Sequence, residues 1–344
     1  MAYSSILKPT DYFNTKLYTG TGATNAITGV GFQPDFTWIK NRNVTTYDHR
    51  AFDVVRGANK KIKPNTTEAE TTTTQELSSF DLDGFSLGTE NGVNASSTNF
   101  ASWSWKAGGT ASSNTDGSIT SSVSANTTSG FSIVSYTGTG STATVGHGLG
   151  STPKMMILRN LSEVKNWVVY HHILGNAQAL KLNTTDASAS GLSNFNSTSP
   201  TSSVFTVGDS SNTNSSGQNM IAYCFAEKQG YSKFGSYVGN GSTDGTFVYT
   251  GFKPAFVILK ASSAAGQNWM MFDNKRNEFN VMNKKLYADN ALAEETSDYL
   301  DFTSNGYKLK TTSSDGNGSG TTYIYMAFAE NPFVASNFNA ATAR

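Results

Sequence analysis

The sequence predicts an all-β protein made of three tandem antiparallel β-sandwich modules, jelly-roll-like and of about 100 residues each. Composition and internal repetition both point to this fold class. Apolar residues make up 37% of the 344 residues and charged residues 15%, and Gly, Ser, Thr and Asn fill much of the difference. Those four residue types favour turns and strand faces over helix interiors. Aromatic residues, at 12%, are too frequent for a disordered chain.

Three landmarks recur along the chain in the same order. They are a Tyr-x-Gly-x-Gly type segment at 18–22, 136–140 and 237–241, a Gly-x-x-Pro segment at 31–34, 150–153 and 251–254, and a closing apolar strand at 103–105, 223–225 and 326–328. Chance does not place several landmarks in one order three times at near-constant offsets. The repetition therefore predicts one module written three times.

The repeats set the predicted domain boundaries. We expect modules at 1–109, 130–229 and 230–334, a Ser/Thr/Gly-rich linker at 110–129 and a C-terminal tail at 335–344. The junction between the second and third modules is short, so these two modules should pack closely. Only Tyr287–Glu295 has a helical flavour, and we expect at most one turn of helix there.

The closing strand alternates between a bulky face and a smaller face. In the first module the bulky face carries Trp103 and Trp105, and equivalent positions carry Met326 and Phe328 in the third. Two-residue alternation places each pair on one side of its strand, which predicts core. The alternative is that Trp103 and Trp105 form a sugar-stacking platform.

A second set of strands, after each Gly-x-x-Pro segment, is apolar on both faces and ends in a cation. The cations are Lys40, Arg159 and Lys260. Apolar residues on both faces predict a strand inside a sandwich. We interpret the terminal cation as a strand end that reaches solvent.

The most specific polar signal is Phe-Asp-x-x-Arg, which occurs at 52–56 and 272–276. In a strand, residues three apart face opposite ways, so a turn is needed to bring Asp53 to Arg56 and Asp273 to Arg276. We expect two structural carboxylate–guanidinium pairs that each tie a strand end to a loop. The alternative is that these side chains contact a partner.

No metal site is predicted from the four histidines. His171 and His172 are adjacent in a predicted strand, so their rings point to opposite faces. His49 and His147 lie in different modules at different landmarks. No cluster of Cys and His has metal-ligand spacing.

No catalytic residue and no cofactor are predicted either. The single cysteine, Cys224, has Ser104 and Ala327 as its repeat equivalents, which predicts a small buried residue rather than a nucleophile. Glu227 and Glu330 occupy one landmark in two modules, and repetition by duplication favours an architectural role over paired-carboxylate chemistry. No nucleophile elbow or phosphate-binding loop occurs.

The charge balance and the chain start exclude further classes. Lys plus Arg and Asp plus Glu both number 25, so the excess cations typical of nucleic-acid binding are missing. No apolar run approaches the ~20 residues that cross a membrane. The start of the chain has no basic and apolar signal pattern, and one cysteine suits a reducing compartment. We therefore expect synthesis in a cytoplasm without export.

Several motifs resemble a repeat family found in proteins of tailed phages, particularly phages of marine bacteria and cyanobacteria. They are the opening at 8–18, the run at 31–42 (Gly-Phe-x-Pro-Asp-Phe-x-Trp-Ile-Lys-x-Arg), and the segments 52–57, 83–85 and 103–109. The likeness is sharp in the first module, fair in the third and weak in the second. It implies an exposed virion component of the tail-fibre, tail-accessory or head-decoration kind, and it carries over no catalytic residues.

The resemblance and the residues together lead to one expected function with two alternatives. We expect a non-enzymatic virion surface protein that is tail-associated, trimeric and involved in host attachment, with other virion proteins and a host-surface glycan or protein as partners. A head decoration or cement protein that binds only virion proteins is the alternative. A polysaccharide-degrading enzyme is the third reading.

Overall fold

The computed structural model of the chain describes residue 4 and residues 6–333, and the predicted tail at 335–344 lies outside these residues. We refer to 6–109, 110–229 and 230–333 as the first, second and third segments. The first segment contains a 3₁₀ turn (Pro9–Asp11), one single-turn helix, α1 (Asn91–Asn94), and strands β1 (Phe13–Thr19), β2 (Asn25–Thr28), β3 (Phe36–Asn41), β4 (Arg50–Asp53), β5 (Lys60–Lys61), β6 (Thr71–Thr72), β7 (Leu77–Asp81), β8 (Gly84–Leu87) and β9 (Asn99–Trp105).

The other two segments are also built almost wholly of strands, as the composition predicts. The second contains helices α2 (Leu192–Phe195) and α3 (Ser211–Asn214) and strands β10 (Ser112–Asn114), β11 (Ser121–Asn126), β12 (Phe131–Thr137), β13 (Ala143–Gly146), β14 (Met155–Asn160), β15 (Val168–His171), β16 (Gln178–Lys181), β17 (Ala189–Ser190), β18 (Val204–Val207) and β19 (Asn219–Phe225). The third contains β20 (Ser232–Val238), β21 (Phe247–Tyr249), β22 (Phe252–Ala261), β23 (Met270–Asp273), β24 (Met282–Tyr287), β25 (Glu295–Thr303), β26 (Gly306–Leu309) and β27 (Thr322–Pro332).

The three segments share one strand order. It reads β1-β9-β3-β4 in the first, β12-β19-β14-β15 in the second and β20-β27-β22-β23 in the third, with antiparallel pairing throughout. In each, the closing strand is the second of the four and pairs with a strand on either side. Its last aromatic pairs on both sides, as Trp105 does with Phe13 and Phe36.

A second group of strands recurs with the same pairing in each segment. These strands are β2-β8-β7, β13-β18 and β21-β26-β25. In the first segment, apolar residues of both groups, such as Phe100 on β9 and Phe85 on β8, meet in one buried cluster. Each of the other two segments has its own cluster of this kind. Every segment is therefore a small β-sandwich.

A fourth buried cluster lies between the segments and contains residues from all three. At its centre Trp105, Phe225 and Phe328 form a triangle, with ring centroids separated by 6.4 Å for Trp105–Phe225, 5.7 Å for Trp105–Phe328 and 6.0 Å for Phe225–Phe328. These are the bulky faces of the three closing strands. The predicted core face is buried, but it is buried against the other segments rather than inside its own sandwich.

Backbone hydrogen bonds join the segments in a cycle. Glu70 N donates to Leu161 O at 2.8 Å, Ser188 N to Ser262 O at 2.9 Å, and Glu294 N to Arg42 O at 2.8 Å. These three bonds link the first segment to the second, the second to the third and the third back to the first. The arrangement is a closed ring with approximate threefold symmetry.

Hydrogen bonds from buried aromatic side chains link the three segments in the same cyclic order. Trp167 Nε1 donates to Lys63 O and Trp269 Nε1 to Lys181 O, both at 3.0 Å. At the equivalent place in the first segment, His49 Nε2 lies 2.8 Å from Tyr287 O. Trp38 donates to His49 Nδ1, so the Nε2 atom carries the proton and donates to that carbonyl.

The predicted linker at 110–129 is wrong. Strands β10 and β11 lie within it, and β11 pairs with β12 along its full length, placing Ser121 opposite Tyr136. Ser and Thr suit an edge strand as well as a flexible connection, so composition could not separate the two. At 287–295 no helix forms, because β24 ends at Tyr287 and β25 begins at Glu295.

Two glycines of the repeated turn motifs are required by close backbone approach. A Cβ on Gly84 would lie 1.9 Å from Ile27 O, and a Cβ on Gly306 would lie 2.1 Å from Val248 O. Any side chain at these places would push the paired strand away. The recurrent Gly-aromatic turn therefore serves strand pairing.

The shared core predicts that the chain unfolds as one unit. Trp105→Ala should lower the free energy of unfolding by about 3–5 kcal/mol, because it removes a buried aromatic that touches all three segments. Urea unfolding followed by Trp fluorescence measures this. Leu82→Ala, at a side chain that is 87% exposed, is the control and should change stability little. Two separated transitions in the unsubstituted protein would contradict a shared core.

Candidate functional site

The first Asp–Arg pair lies in a turn at the end of β4. Arg56 Nε is 2.5 Å from Asp53 Oδ2, and the other carboxylate oxygen accepts the backbone N–H groups of Val55 and Arg56 at 3.0 and 2.9 Å. The turn brings together two residues that a straight strand would separate. Both side chains are almost completely buried.

The second pair has the same geometry at the end of β23. Arg276 Nε is 2.5 Å from Asp273 Oδ2, and Asp273 Oδ1 accepts the backbone N–H groups of Lys275 and Arg276 at 3.0 and 2.9 Å. Both side chains are fully buried. Each carboxylate oxygen therefore has internal donors, and the guanidinium beside it has a fixed orientation.

Each carboxylate also accepts a hydrogen bond from a side chain of another segment. Tyr223 of the second segment donates its hydroxyl to Asp53 Oδ2 at 2.7 Å, and Trp103 of the first donates Nε1–H to Asp273 Oδ2 at 3.1 Å. The pairs therefore lie inside the interfaces between segments. Their polar atoms face the interior and do not reach a partner.

The third interface uses a neutral group at the equivalent position. His171 stands at the end of β15, where the other segments have Asp53 and Asp273, and its Nε2 lies 3.3 Å from Tyr325 O. Burial, and then the neighbouring His172, lowers the pKa of His171 to about 3. The closing strand opposite it carries Met326, which has no N–H or O–H to donate, so a carboxylate here would lack its partner.

The cations Lys40, Arg159 and Lys260 do not reach solvent, and that prediction was wrong. All three are fully buried. Arg159 Nη2 donates to Thr67 O at 2.7 Å, and Lys260 Nζ donates to Thr185 O at 3.1 Å, in both cases across an interface. Burial lowers the pKa of Lys40 and of Lys260 to about 8. The strand ends are surface positions of one sandwich that the next segment covers.

Trp103 and Trp105 cannot form a sugar-stacking platform. Their exposed fractions are 0% and 1%, and both belong to the central cluster. The alternative interpretation of these residues as a glycan site is therefore wrong, because the bulky face of β9 is the inner face of the ring.

Cys224 is buried in the sandwich of the second segment. Burial raises the pKa of its thiol, so the thiolate that a cysteine nucleophile requires is disfavoured. Its neighbours in the cluster are apolar side chains such as Val134 and Met156.

The described residues hold two notable spaces. One is an enclosed apolar cavity of about 10 Å³ in the central core, next to Trp105, Trp167 and Phe225, which is room for about one water molecule. The other is an open groove of about 340 Å³ on the second segment, lined mainly by hydroxyl side chains such as Ser122 and Ser135. Among residues 6–333, no group of three or more His, Cys, Asp or Glu side chains is placed to hold a metal ion.

A buried asparagine in each segment escaped the sequence analysis. In the first, Asn94 Oδ1 accepts Thr21 N at 2.9 Å and its Nδ2 donates to Gly88 O at 2.7 Å. Asn214 and Asn317 make the same kinds of contact. A constant spacing was the available signal, since each asparagine lies eleven residues before the last aromatic of its closing strand.

These features define an all-β protein in which three sandwich-like segments pack against one another. Its buried Asp–Arg pairs accept hydrogen bonds across the interfaces between those segments. A family model described as a domain of unknown function (DUF7483) matches residues 8–332, and the chain belongs to that family. The match runs across all three segments, as the central core does. A comparison with curated proteins finds no match. In the part of the chain that the structure describes, no helix is long and apolar enough to cross a membrane.

The buried ion pairs predict a large loss of stability when one partner is neutralised. Asp273→Asn should lower the free energy of unfolding by about 3 kcal/mol, because the buried Arg276 loses its closest carboxylate and keeps only the longer contact of its Nη1 with Glu294, at 3.3 Å. Chemical denaturation measures the loss. Asp209→Asn, at an exposed position, is the matched control and should be nearly neutral. A loss below about 1 kcal/mol for Asp273→Asn would show that water or a neighbour replaces the carboxylate.

The lowered pKa of His171 predicts a loss of stability in mild acid. Because its pKa in the folded protein is about 3, only the unfolded chain takes up this proton as the pH falls below 6.5, and stability drops. Asp289, whose pKa burial raises to about 6, acts in the opposite direction over part of this range. Comparison with His171→Asn isolates the histidine. Between pH 7 and pH 5 the unsubstituted protein should lose about 2 kcal/mol more than the variant in urea titrations. Equal losses would contradict the assignment.

Proposed function

We propose that the protein is a non-enzymatic structural protein of the virion surface of a tailed phage, tail-associated and involved in host attachment. The observation that carries the structural part is the burial of both Asp–Arg pairs between segments. The segments that resemble the phage repeat family, 31–42, 52–57 and 103–109, supply β3, β4 and β9 and the first of these pairs. The shared motifs therefore serve assembly of the ring.

A non-enzymatic role is supported by the use made of the polar side chains that sequence analysis considered. Asp53 and Asp273 are saturated by internal donors, and Cys224 is buried among apolar groups. A carboxylate that acts on a substrate has to reach it, and these two are enclosed on every side by the protein. Incubation with host polysaccharide followed by a reducing-sugar assay tests the alternative of a polysaccharide-degrading enzyme, since such an enzyme would release new reducing ends.

A head decoration or cement protein is the second candidate, and the ring itself favours it. Three equivalent interfaces within one chain present three related outer surfaces, so a single copy could meet three equivalent neighbours on a particle. The expected homotrimer and the cement role differ in the number of chains at one site. A homotrimer places three chains there, each with its own ring of three segments, whereas the cement role needs only one chain.

Immunogold labelling of intact particles tests the proposal. Label on the tail or its fibres supports the attachment protein, and label on the head only supports the cement protein. Particles that carry no label, although the protein is present in the infected cell, would overturn a virion role. Light scattering on the purified protein separates a trimer from a single chain.

A further inference from the structure

Within residues 6–333, strongly exposed aromatic side chains occur only in the third segment. In the described residues, the large apolar side chains with high exposure include three aromatics, namely Phe247, Tyr249 and Phe279, which are 46%, 56% and 74% exposed. The first and second segments bury their aromatics or cover them in part. An exposed aromatic loses the stabilisation of burial, so several of them in one segment require an explanation beyond folding.

Phe247 and Tyr249 point outward from the same face of β21. Val248 between them is 5% exposed and belongs to the buried cluster of the third segment. Strand alternation therefore sends both rings to the outer surface, about 7 Å apart along the strand. Lys308 on β26 pairs with Phe247, and Gly306, which pairs with Tyr249, has no side chain to cover that ring; the hydroxyl end of the ring lies next to Gly251.

The other two segments act as an internal control for these positions. The inward residue of the pairing strand is Val248 opposite Tyr307 in the third segment, Ile27 opposite Phe85 in the first and Val145 opposite Phe205 in the second. On either side of it the first segment has Ala26 and Thr28, and the second has Thr144 and Gly146. The same strand therefore forms without aromatic rings at both places.

Charged groups lie on the Phe247 side of this surface, because Lys308 pairs with Phe247 and Asp301 pairs with Lys308. Lys308 Nζ is 2.5 Å from Asp244 Oδ1 in an exposed ion pair, and Lys310 lies 4.0 Å from Asp301 nearby on the neighbouring strands. The core of a protein–protein contact is depleted in Lys and Asp. A sugar ring, in contrast, has an apolar face that stacks on an aromatic and a rim of hydroxyls that bonds to charged and polar groups.

We propose that β21 and β26 form a carbohydrate-binding platform, in which Phe247 and Tyr249 stack against hexopyranose rings of a bacterial surface polysaccharide while Lys308 and Asp244 bond to its hydroxyls. The inference rests on the proposed attachment role and names its partner and site. It places the contact on the outer sheet of the third segment, whereas Trp103 and Trp105 are enclosed.

The probe is an array of immobilised lipopolysaccharide O-chains, capsular polysaccharides and exopolysaccharides. The full chain should bind at least one of them, and Phe247→Ala/Tyr249→Thr, which installs the residues of the first segment, should weaken that binding at least tenfold. Leu192→Ser, at a side chain that is 51% exposed in the second segment, is the matched control and should bind as the unsubstituted protein does. Thermal unfolding midpoints of all three proteins verify that they are folded.

Two results would overturn the platform. One is that no polysaccharide of the array retains the unsubstituted protein, and the other is that the double variant binds as tightly as the unsubstituted protein. A double variant that binds polysaccharide normally but no longer binds periodate-treated cells would assign the patch to a protein instead. Particle labelling keeps this test separate from the proposed function. Labelled tails without glycan binding would refute only the platform, and glycan binding without any particle label would refute only the virion role.

Discussion

The arrangement depends on the burial of three aromatic-rich strand faces against one another. A buried aromatic side chain removes roughly 150–250 Å² from water, which at about 25 cal/mol per Å² stabilises the fold by about 4–6 kcal/mol. Net stabilities of whole domains are about 5–15 kcal/mol. The gross burial term of Trp105, Phe225 and Phe328 is therefore large beside that net figure, which is what remains after the conformational entropy lost on folding is subtracted. A sandwich with this face exposed would carry a large apolar patch, so the three segments have to be considered together.

The polar chemistry of the interfaces follows from that apolar centre. Once the segments close on each other, the turns at the ends of β4, β15 and β23 are removed from water, and every donor and acceptor in them needs an internal partner. Two interfaces meet this need with Asp–Arg pairs that accept a donor from the facing segment. The third has Met326 as its facing residue, and there a histidine kept neutral by burial replaces the carboxylate. The polar group at each interface therefore matches the residue that the neighbouring closing strand presents to it.

The sequence predicted the parts that depend on local pattern. Alternation identified the bulky face of β9, and the Asp53–Arg56 spacing indicated a turn that would bring the two side chains together. It did not predict what lies across an interface. Lys260 looked like a solvated strand end because, within its own repeat, it is one. Lys260 becomes buried only because another segment packs over that strand end. Strands β10 and β11 were missed for a related reason, since short strands rich in Ser differ from a linker of the same composition only in their pairing with other strands.

Internal repetition also separates residues that build the fold from residues available for function. Asn94, Asn214 and Asn317 recur at one spacing and make the same contacts, so their role is common to all three copies and is architectural. Phe247 and Tyr249 occupy a strand that the other copies make from small or polar residues, and the pairing of that strand is unchanged. Three copies that share a fold tolerate change at such surface positions independently, because each copy needs only its inward residues to pair. A function that belongs to one copy is therefore expected at exposed positions where that copy differs from the other two, and in the described part of this chain the exposed aromatic residues of the third segment are such positions.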